Sequence, residues 1–442
     1  MNPIQKFNWY RKEYGLAAAV RRILRKLVGR DVTSERPPAE QFAVQFTTGS
    51  HETGDQPTTA SQLINARFAG SAPLAVFEAP GPRLRLNLIT DSINSGSLFG
   101  GVGTAIILAT LLARRAGAEL RVVTRTQSPY QPGFKEVLLC NGIEYENNVD
   151  FSFVDIADKD SQLDICAGDY FLTTSWWTTA STLGSVSPSR LIYLLQEDER
   201  MFYPYGDDWL RCSETISRQD VAIVLNTRLL RDHLASSGLP HLAELGLHFE
   251  PAFPAVARTP KPAKRDGATR KRLFFYARPN NLRNVFYRGI EALDEAVRTG
   301  ILDPDQWEIV LVGKDVPMFS FSGVTPTIVP TLSWSDYGDF VNTVDLGFCL
   351  MATPHPSYPP LDLAAAGALV VTNKFGMKQD LSGYSSSIIV AELDQKSLVE
   401  GLRQGVARIE SGDTRARTHG LSDSWERSLA HVTEVLANNV LR

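Results

Sequence analysis

Cysteine is scarce in this sequence, four residues in 442. Cys140, Cys166, Cys212 and Cys349 stand far apart, so no pair has metal-ligand spacing and no disulfide framework is implied. Three of them sit in or beside apolar runs, the setting of buried structural thiols in a reducing compartment. Long hydrophobic runs are missing too. No stretch approaches the roughly 18 apolar residues of a membrane span, and the N-terminus lacks an apolar core ahead of a cleavage site. A cytoplasmic location is therefore expected. Neither sign of charge dominates: the net charge is -4 and the pI near 6.0, which argues against a whole-chain nucleic-acid binder.

What is present is the material of two cores. The chain is 43% hydrophobic and 21% charged, and 442 residues exceed one ordinary domain. Residues 1–30 stand apart. Leu16, Val20, Ile23, Leu24, Leu27 and Val28 recur at helical spacing, and Arg11, Lys12, Arg21, Arg22, Arg25, Lys26 and Arg30 crowd the other face. This is a basic amphipathic helix, suited to an anionic membrane surface or to docking on its own protein. Residues 31–82 have linker composition.

An α/β domain is expected over residues 83–258 and a second over 259–423, with a C-terminal helix in 424–442 crossing back to the first. The first opens with an apolar strand, Leu84 to Thr90, then a glycine-rich turn containing Gly101 and Gly103, then a helix. Such a turn favours an anionic or polyhydroxy ligand at the helix start. It is not the dinucleotide fingerprint. The run Gly101-Val102-Gly103-Thr104-Ala105-Ile106 lacks the third small residue, and the next strand ends in Thr124-Arg125 rather than a ribose-binding acid.

Further strands run into Trp176-Trp177 and into Gln196-Glu197-Asp198-Glu199. Aromatics past a strand's carboxyl end can stack on sugars, although either tryptophan alone reads equally as core. The second domain places Arg278 directly after a strand and Arg283 at a helix start. Asp362 falls in the first turn of a short helix expected from about Pro360. Two guanidiniums beside a helix start can hold a diphosphate, and a carboxylate can accept both ribose hydroxyls. Asp303-Pro304-Asp305 has the spacing of a metal-binding pair but falls in a helix-to-strand turn, where solvated acids are ordinary.

The Tyr276-Ala277-Arg278 loop with Arg283, and the run His355-Pro356-Ser357-Tyr358-Pro359-Pro360-Leu361-Asp362, resemble the GT-B glycosyltransferases of the family-four type. Within these they are similar to rhamnosyltransferases of bacterial surface glycans. The resemblance implies two Rossmann-like, doubly wound parallel-sheet domains facing a cleft, with the donor held by the second. It implies an enzyme, a hexosyltransferase that moves L-rhamnose from dTDP-β-L-rhamnose to a lipid-linked or growing polysaccharide such as O-antigen, with retention. Neither metal nor other cofactor is implied. Arg278 and Arg283 take the diphosphate positions, Ser357 and Tyr358 the turn beside it, and Asp362 the ribose-binding acid, usually a glutamate. Were the reaction inverting, Asp198 or Glu197 would be the base. Two positions depart from the family: Pro354 stands where its first acid falls, and Thr331 where a lysine is expected. A GT-B epimerase and a non-catalytic nucleotide-sugar-binding subunit are the alternatives. Location on the inner face of the cytoplasmic membrane, through residues 1–30, completes the expectation.

Overall fold

The structure, a computed structural model, describes residues 59–94, 98–145, 148–158, 160–254, 270–330, 332–412 and 420–441. The basic segment 1–30, most of the linker stretch and Thr331 lie outside the described residues.

Seven parallel strands form the first sheet: β1 (Arg85–Thr90), β2 (Glu119–Thr124), β3 (Val149–Phe153), β4 (Asp169–Thr173), β5 (Leu191–Leu195), β6 (Ala222–Asn226) and β7 (Leu247–Phe249). Their order is β3-β2-β1-β4-β5-β6-β7, so the winding reverses between β1 and β4. Helices cover both faces, and the central strands are therefore buried on both sides rather than alternately; every residue of β1 and β5 is buried. Helix α1 (Gly103–Ala116) is apolar nearly all round and ends on Gly117, whose φ of 64° forms a left-handed cap. Helix α2 (Trp176–Leu183) starts on a Ser175 capping box.

Charged residues in β1, β2 and β4 are paired. Asp169 accepts from Arg85 Nε at 2.6 Å and Nη2 at 2.9 Å, and from Asn87 Nδ2 at 2.9 Å. Against the cost of burial, these bonds hold the Asp169 carboxyl below its usual range. Arg121, fully buried, donates to Asn87 at 2.6 Å and to Asp164 at 2.7 Å. This lock involves the starts of β1 and β4, the end of the sheet away from its carboxyl edge.

The second sheet has six parallel strands: β8 (Lys271–Tyr276), β9 (Trp307–Val312), β10 (Thr327–Val329), β11 (Leu346–Phe348), β12 (Leu369–Asn373) and β13 (Ile388–Ala391). Their order, β10-β9-β8-β11-β12-β13, repeats the first winding. Helix α3 (Phe286–Arg298) packs on the sheet at Gly289, where a Cβ would lie 2.3 Å from the Phe275 ring. Helices α4 (Trp334–Val341), α5 (Tyr358–Ala365) and α6 (Gln395–Glu410) complete the layers. The terminal helix α7 (Ala430–Asn439) returns to the first half: Val432 and Leu436 join the core of α1, and Trp425 Nε1 donates to Asn141 at 2.8 Å.

Residues 59–82 are more ordered than linker composition suggests. Thr59 and Gln62 cap a helix, Ala60–Arg67, and Val76–Glu78 pairs in parallel with Leu163–Ile165. Leu74, only 1% exposed, packs with Ile89, Val123 and Phe171. A three-residue strand has no period to read; its partner lies some 90 positions along the chain.

Candidate functional site

The carboxyl ends of the strands in both sheets supply the polar groups that the sequence singled out, and side chains from the two halves bond one another there. Beyond β1, the glycine turn leads into α1. Gly101 O accepts from Gln196 Nε2 at 2.7 Å. A Cβ on Gly101 would stand 3.1 Å from that nitrogen, which favours glycine at this point. Gly103 opens α1, and the Thr104 hydroxyl beside it shares a 2.5 Å hydrogen bond with Tyr358 Oη of the second half. Tyr358 also accepts from Asn226 Nδ2 at 2.8 Å, at the end of β6. Tyr358 thus ties the helix start after β1 and the end of β6 to the start of α5.

That helix begins earlier than expected. It starts at Tyr358 rather than near Pro360, because prolines fit the first helical turn, and this places Asp362 fifth in the helix, past the first turn. Pro359 and Pro360 remove two backbone donors. Ser357, before the helix, adopts a left-handed φ of 70°, and its amide donates to His355 Nδ1 at 2.9 Å. Few amides at this helix start therefore remain for a ligand. Asp362 instead offers its side chain. Burial pushes its carboxyl up to about 7, with the Tyr337 hydroxyl at 3.4 Å opposing.

The three acids after β5 have separate fates. Glu197 Oε2 accepts from Arg283 Nη1 at 2.6 Å, a bond between the two halves, and Oε1 accepts from the Thr353 hydroxyl. Burial still raises its carboxyl above the ordinary value, with Arg283 the main opposing charge. Asp198 is gripped by Arg200 at 2.8 and 2.7 Å, and His233 Nε2 lies 3.7 Å away. Burial opposes ionisation there, yet the Arg200 bonds, with His233 nearby, hold the carboxyl below its usual range. Glu199 is 4% exposed and takes the Trp176 amide at 2.6 Å and the Tyr193 hydroxyl at 2.9 Å. Burial moves it to about 8.

Arg278 is exposed after β8, its amide accepted by Asn284 Oδ1 at 2.8 Å, and Asn284 in turn donates to Leu350 O at 3.1 Å. This buried asparagine fixes the loop that carries both arginines. Arg283 also lies over the Phe202 ring, 4.4 Å from its centroid. Trp177 Nε1 donates to both Asp91 oxygens, at 3.1 and 3.0 Å, while Trp176 is buried with its Nε1 on Tyr203 Oη. The Asp303 carboxylate accepts from the Asp305 amide at 2.9 Å, an ordinary turn contact. Sequence reasoning missed Asn226, Thr353 and Lys378. None carries a local signal; each matters only through residues far away in the chain.

Two parallel sheets with the same reversed winding, and polar groups gathered where their carboxyl edges meet, define the architecture of a GT-B glycosyltransferase. Anabaena HepE, solved in complex with UDP and glucose, superposes with a TM-score of 0.53 at 14% identity, over 81% of this chain and 95% of that one. HepE in complex with UDP-glucose superposes at 0.51, with 14% identity over 80% and 95%. At such identity the likeness is one of fold. The particular family follows from sequence: residues 85–228 match the WsaF N-terminal domain and residues 271–403 the WsaF C-terminal domain, together more than half of the chain. The chain belongs to the WsaF family. It is also 29% identical over 390 residues to the O-antigen biosynthesis protein RfbC of Myxococcus xanthus. The match covers 86% of this chain and 29% of the length of that protein. Among the described residues, no helix is long and apolar enough to cross a membrane.

Proposed function

We propose that this chain transfers a sugar from a nucleotide donor to a bacterial surface polysaccharide such as O-antigen. The donor is dTDP-β-L-rhamnose and the anomeric configuration is retained. The observation that carries the reading is Asp362 together with Arg278 and Arg283, all at the carboxyl edge of the second sheet around its β8/β11 switch point. Ligands of open α/β sheets bind at that position. WsaF family membership and the RfbC relative support the surface-glycan acceptor; HepE, a protein of this fold, binds UDP and glucose.

In this reading Asp362 accepts the ribose hydroxyls and the arginines hold the diphosphate. Arg278 is exposed and gives up a 3.4 Å bond to Tyr276 Oη, while Arg283 must first exchange Glu197 for phosphate. Retention needs no separate base, because the leaving diphosphate can take the acceptor's proton on the face where it departs. Of the two acids that an inverting route would use, Asp198 stays held by Arg200, which keeps its carboxyl below the usual range and makes it a weak base; this favours the retaining route. Catalysis then rests on positioning and on charge stabilisation of the departing diphosphate. Residues 1–30 hold the enzyme at the inner face of the membrane, near a lipid-linked acceptor.

The test is turnover across a panel of nucleotide sugars with membrane-derived glycan acceptors, with and without a chelator. The reading expects transfer from dTDP-β-L-rhamnose that survives chelation. No turnover and no nucleotide binding with any donor would overturn it. Pro354 favours one second reading, a non-catalytic binding subunit; nucleotide binding without turnover across several acceptors would select it.

A further inference from the structure

Two buried polar side chains beside the Glu197–Arg283 pair have no role in the reading so far. His355 is 5% exposed and lies in the turn between β11 and α5. Its Nδ1 accepts the Ser357 amide at 2.9 Å, and a backbone amide can only donate. The neutral ring therefore carries its proton on Nε2. Burial, with the Lys378 and Arg283 charges, keeps the ring neutral down to about pH 3. Nε2 is buried and, among the described residues, has no hydrogen-bond partner. A buried N–H donor without an acceptor destabilises a fold unless something else selects for it.

Lys378, in the loop after β12, is fully buried. Its amine donates to Met351 O at 2.9 Å, a carbonyl that also receives Asn373 Nδ2 at 3.0 Å. Burial lowers the amine to about 7; the Glu197 carboxylate opposes this but bonds Arg283 and Thr353 rather than the amine. Thr353 extends the connection, since its oxygen accepts the His355 amide at 3.2 Å. The Glu197 carboxylate thus has the Arg283 guanidinium as its bonded partner and the Lys378 amine within electrostatic reach, and His355 feels the charges of both basic groups. The group that this set lacks is an anionic oxygen.

We infer that His355 Nε2–H and the Lys378 amine form a second phosphate contact, taking the donor phosphate nearest the sugar. This rests on the transferase reading. A phosphate oxygen fits better than a sugar hydroxyl, because a negative charge pairs with Arg283 and holds the Lys378 amine in its charged form, and a hydroxyl brings none. The phosphate reaches the set as it replaces Glu197 on Arg283. His355 is then a direct ligand contact, its tautomer fixed by the Ser357 amide.

Calorimetric titration of the full chain with dTDP, UDP and GDP, and with thymidine as the phosphate-free control, tests this. His355→Asn retains an oxygen for the Ser357 amide but presents no donor at the Nε2 position. Lys378→Met retains the length of the chain without its charge. Both variants are expected to bind the preferred diphosphate roughly ten-fold more weakly, with thymidine affinity unchanged. His355→Gln, whose amide reaches the Nε2 position, is expected to recover part of the loss. Wild-type diphosphate affinity in both variants overturns the inference, as does an equal loss for thymidine. A wild-type chain that binds no nucleoside diphosphate overturns the transferase reading itself.

Discussion

Replacing Asp362 by asparagine separates the stability of the site from its use. The carboxyl is raised from its ordinary 3.8 to about 7, burial being the cause and the Tyr337 hydroxyl opposing it. In the unfolded chain it ionises near its ordinary value, so between about pH 4 and pH 7 the folded state binds one more proton. Stability from this group is therefore complete below pH 4 and is lost as pH rises through 7. At 1.36 kcal/mol per unit the shift corresponds to about 4 kcal/mol, and to roughly 2 kcal/mol once the partial exposure of the side chain is allowed for. Asp362→Asn carries no charge and loses this dependence, so it should gain stability over wild type at pH 8 and little at pH 4. Urea unfolding at both pH values measures the difference. Glu199, raised to about 8, titrates in both proteins and cancels. Nucleotide binding supplies the second half. Ribose hydroxyls favour the carboxylate, so at pH 6 wild type should release a proton on binding, read from the dependence of titration heat on buffer. The variant should release less and bind more weakly, by about 1.5–3 kcal/mol. Parallel pH–stability curves for the two proteins, with equal nucleotide affinity, would refute the reasoning.

Four further outcomes are expected. Arg278→Ala should weaken nucleoside diphosphate binding by roughly ten-fold, as befits one charge-assisted bond, with nucleoside binding unchanged in the same titration. Glu197→Gln frees Arg283 and should tighten diphosphate binding several-fold while leaving transfer intact; loss of transfer without loss of binding would instead identify Glu197 as a base. Asp169→Ala leaves Arg85 buried without its main partner and should cost about 3–5 kcal/mol in denaturant unfolding, against less than 1 kcal/mol if the lock is ornamental. Deleting residues 1–30 should release the chain from anionic vesicles in a sedimentation assay and preserve transfer to soluble acceptors; a truncated chain that still sediments excludes that segment as the anchor.

The fold was legible wherever strands are buried on both faces. The strand Leu84 to Thr90 and the strands running into Gln196 and Arg278 are rich in apolar residues and end on polar ones, and both sheets could be anticipated from them. The short strands β3, β7, β10 and β13 left little trace. They have three to five residues each, and β3, at a sheet edge, is exposed at two positions. The start of α5 was misplaced because Pro359-Pro360 read as a boundary, whereas prolines sit within its first turn. Arg278, Arg283 and Asp362 could be found because a polar residue directly past an apolar strand is conspicuous. The engagement of Arg283 by Glu197 could not, since 86 positions separate them. Asn226, Thr353 and Lys378 were illegible for the same reason: their meaning lies in pairings that only the folded chain creates.

The central claim is that the second sheet's carboxyl edge holds a nucleoside diphosphate. A crystal of the full chain soaked with dTDP tests it most directly. The account predicts ribose density against Asp362, with the diphosphate on Arg278 and Arg283 and Glu197 displaced from Arg283. A nucleotide bound elsewhere, or a diphosphate with Glu197 still on Arg283 and Asp362 uncontacted, would contradict it.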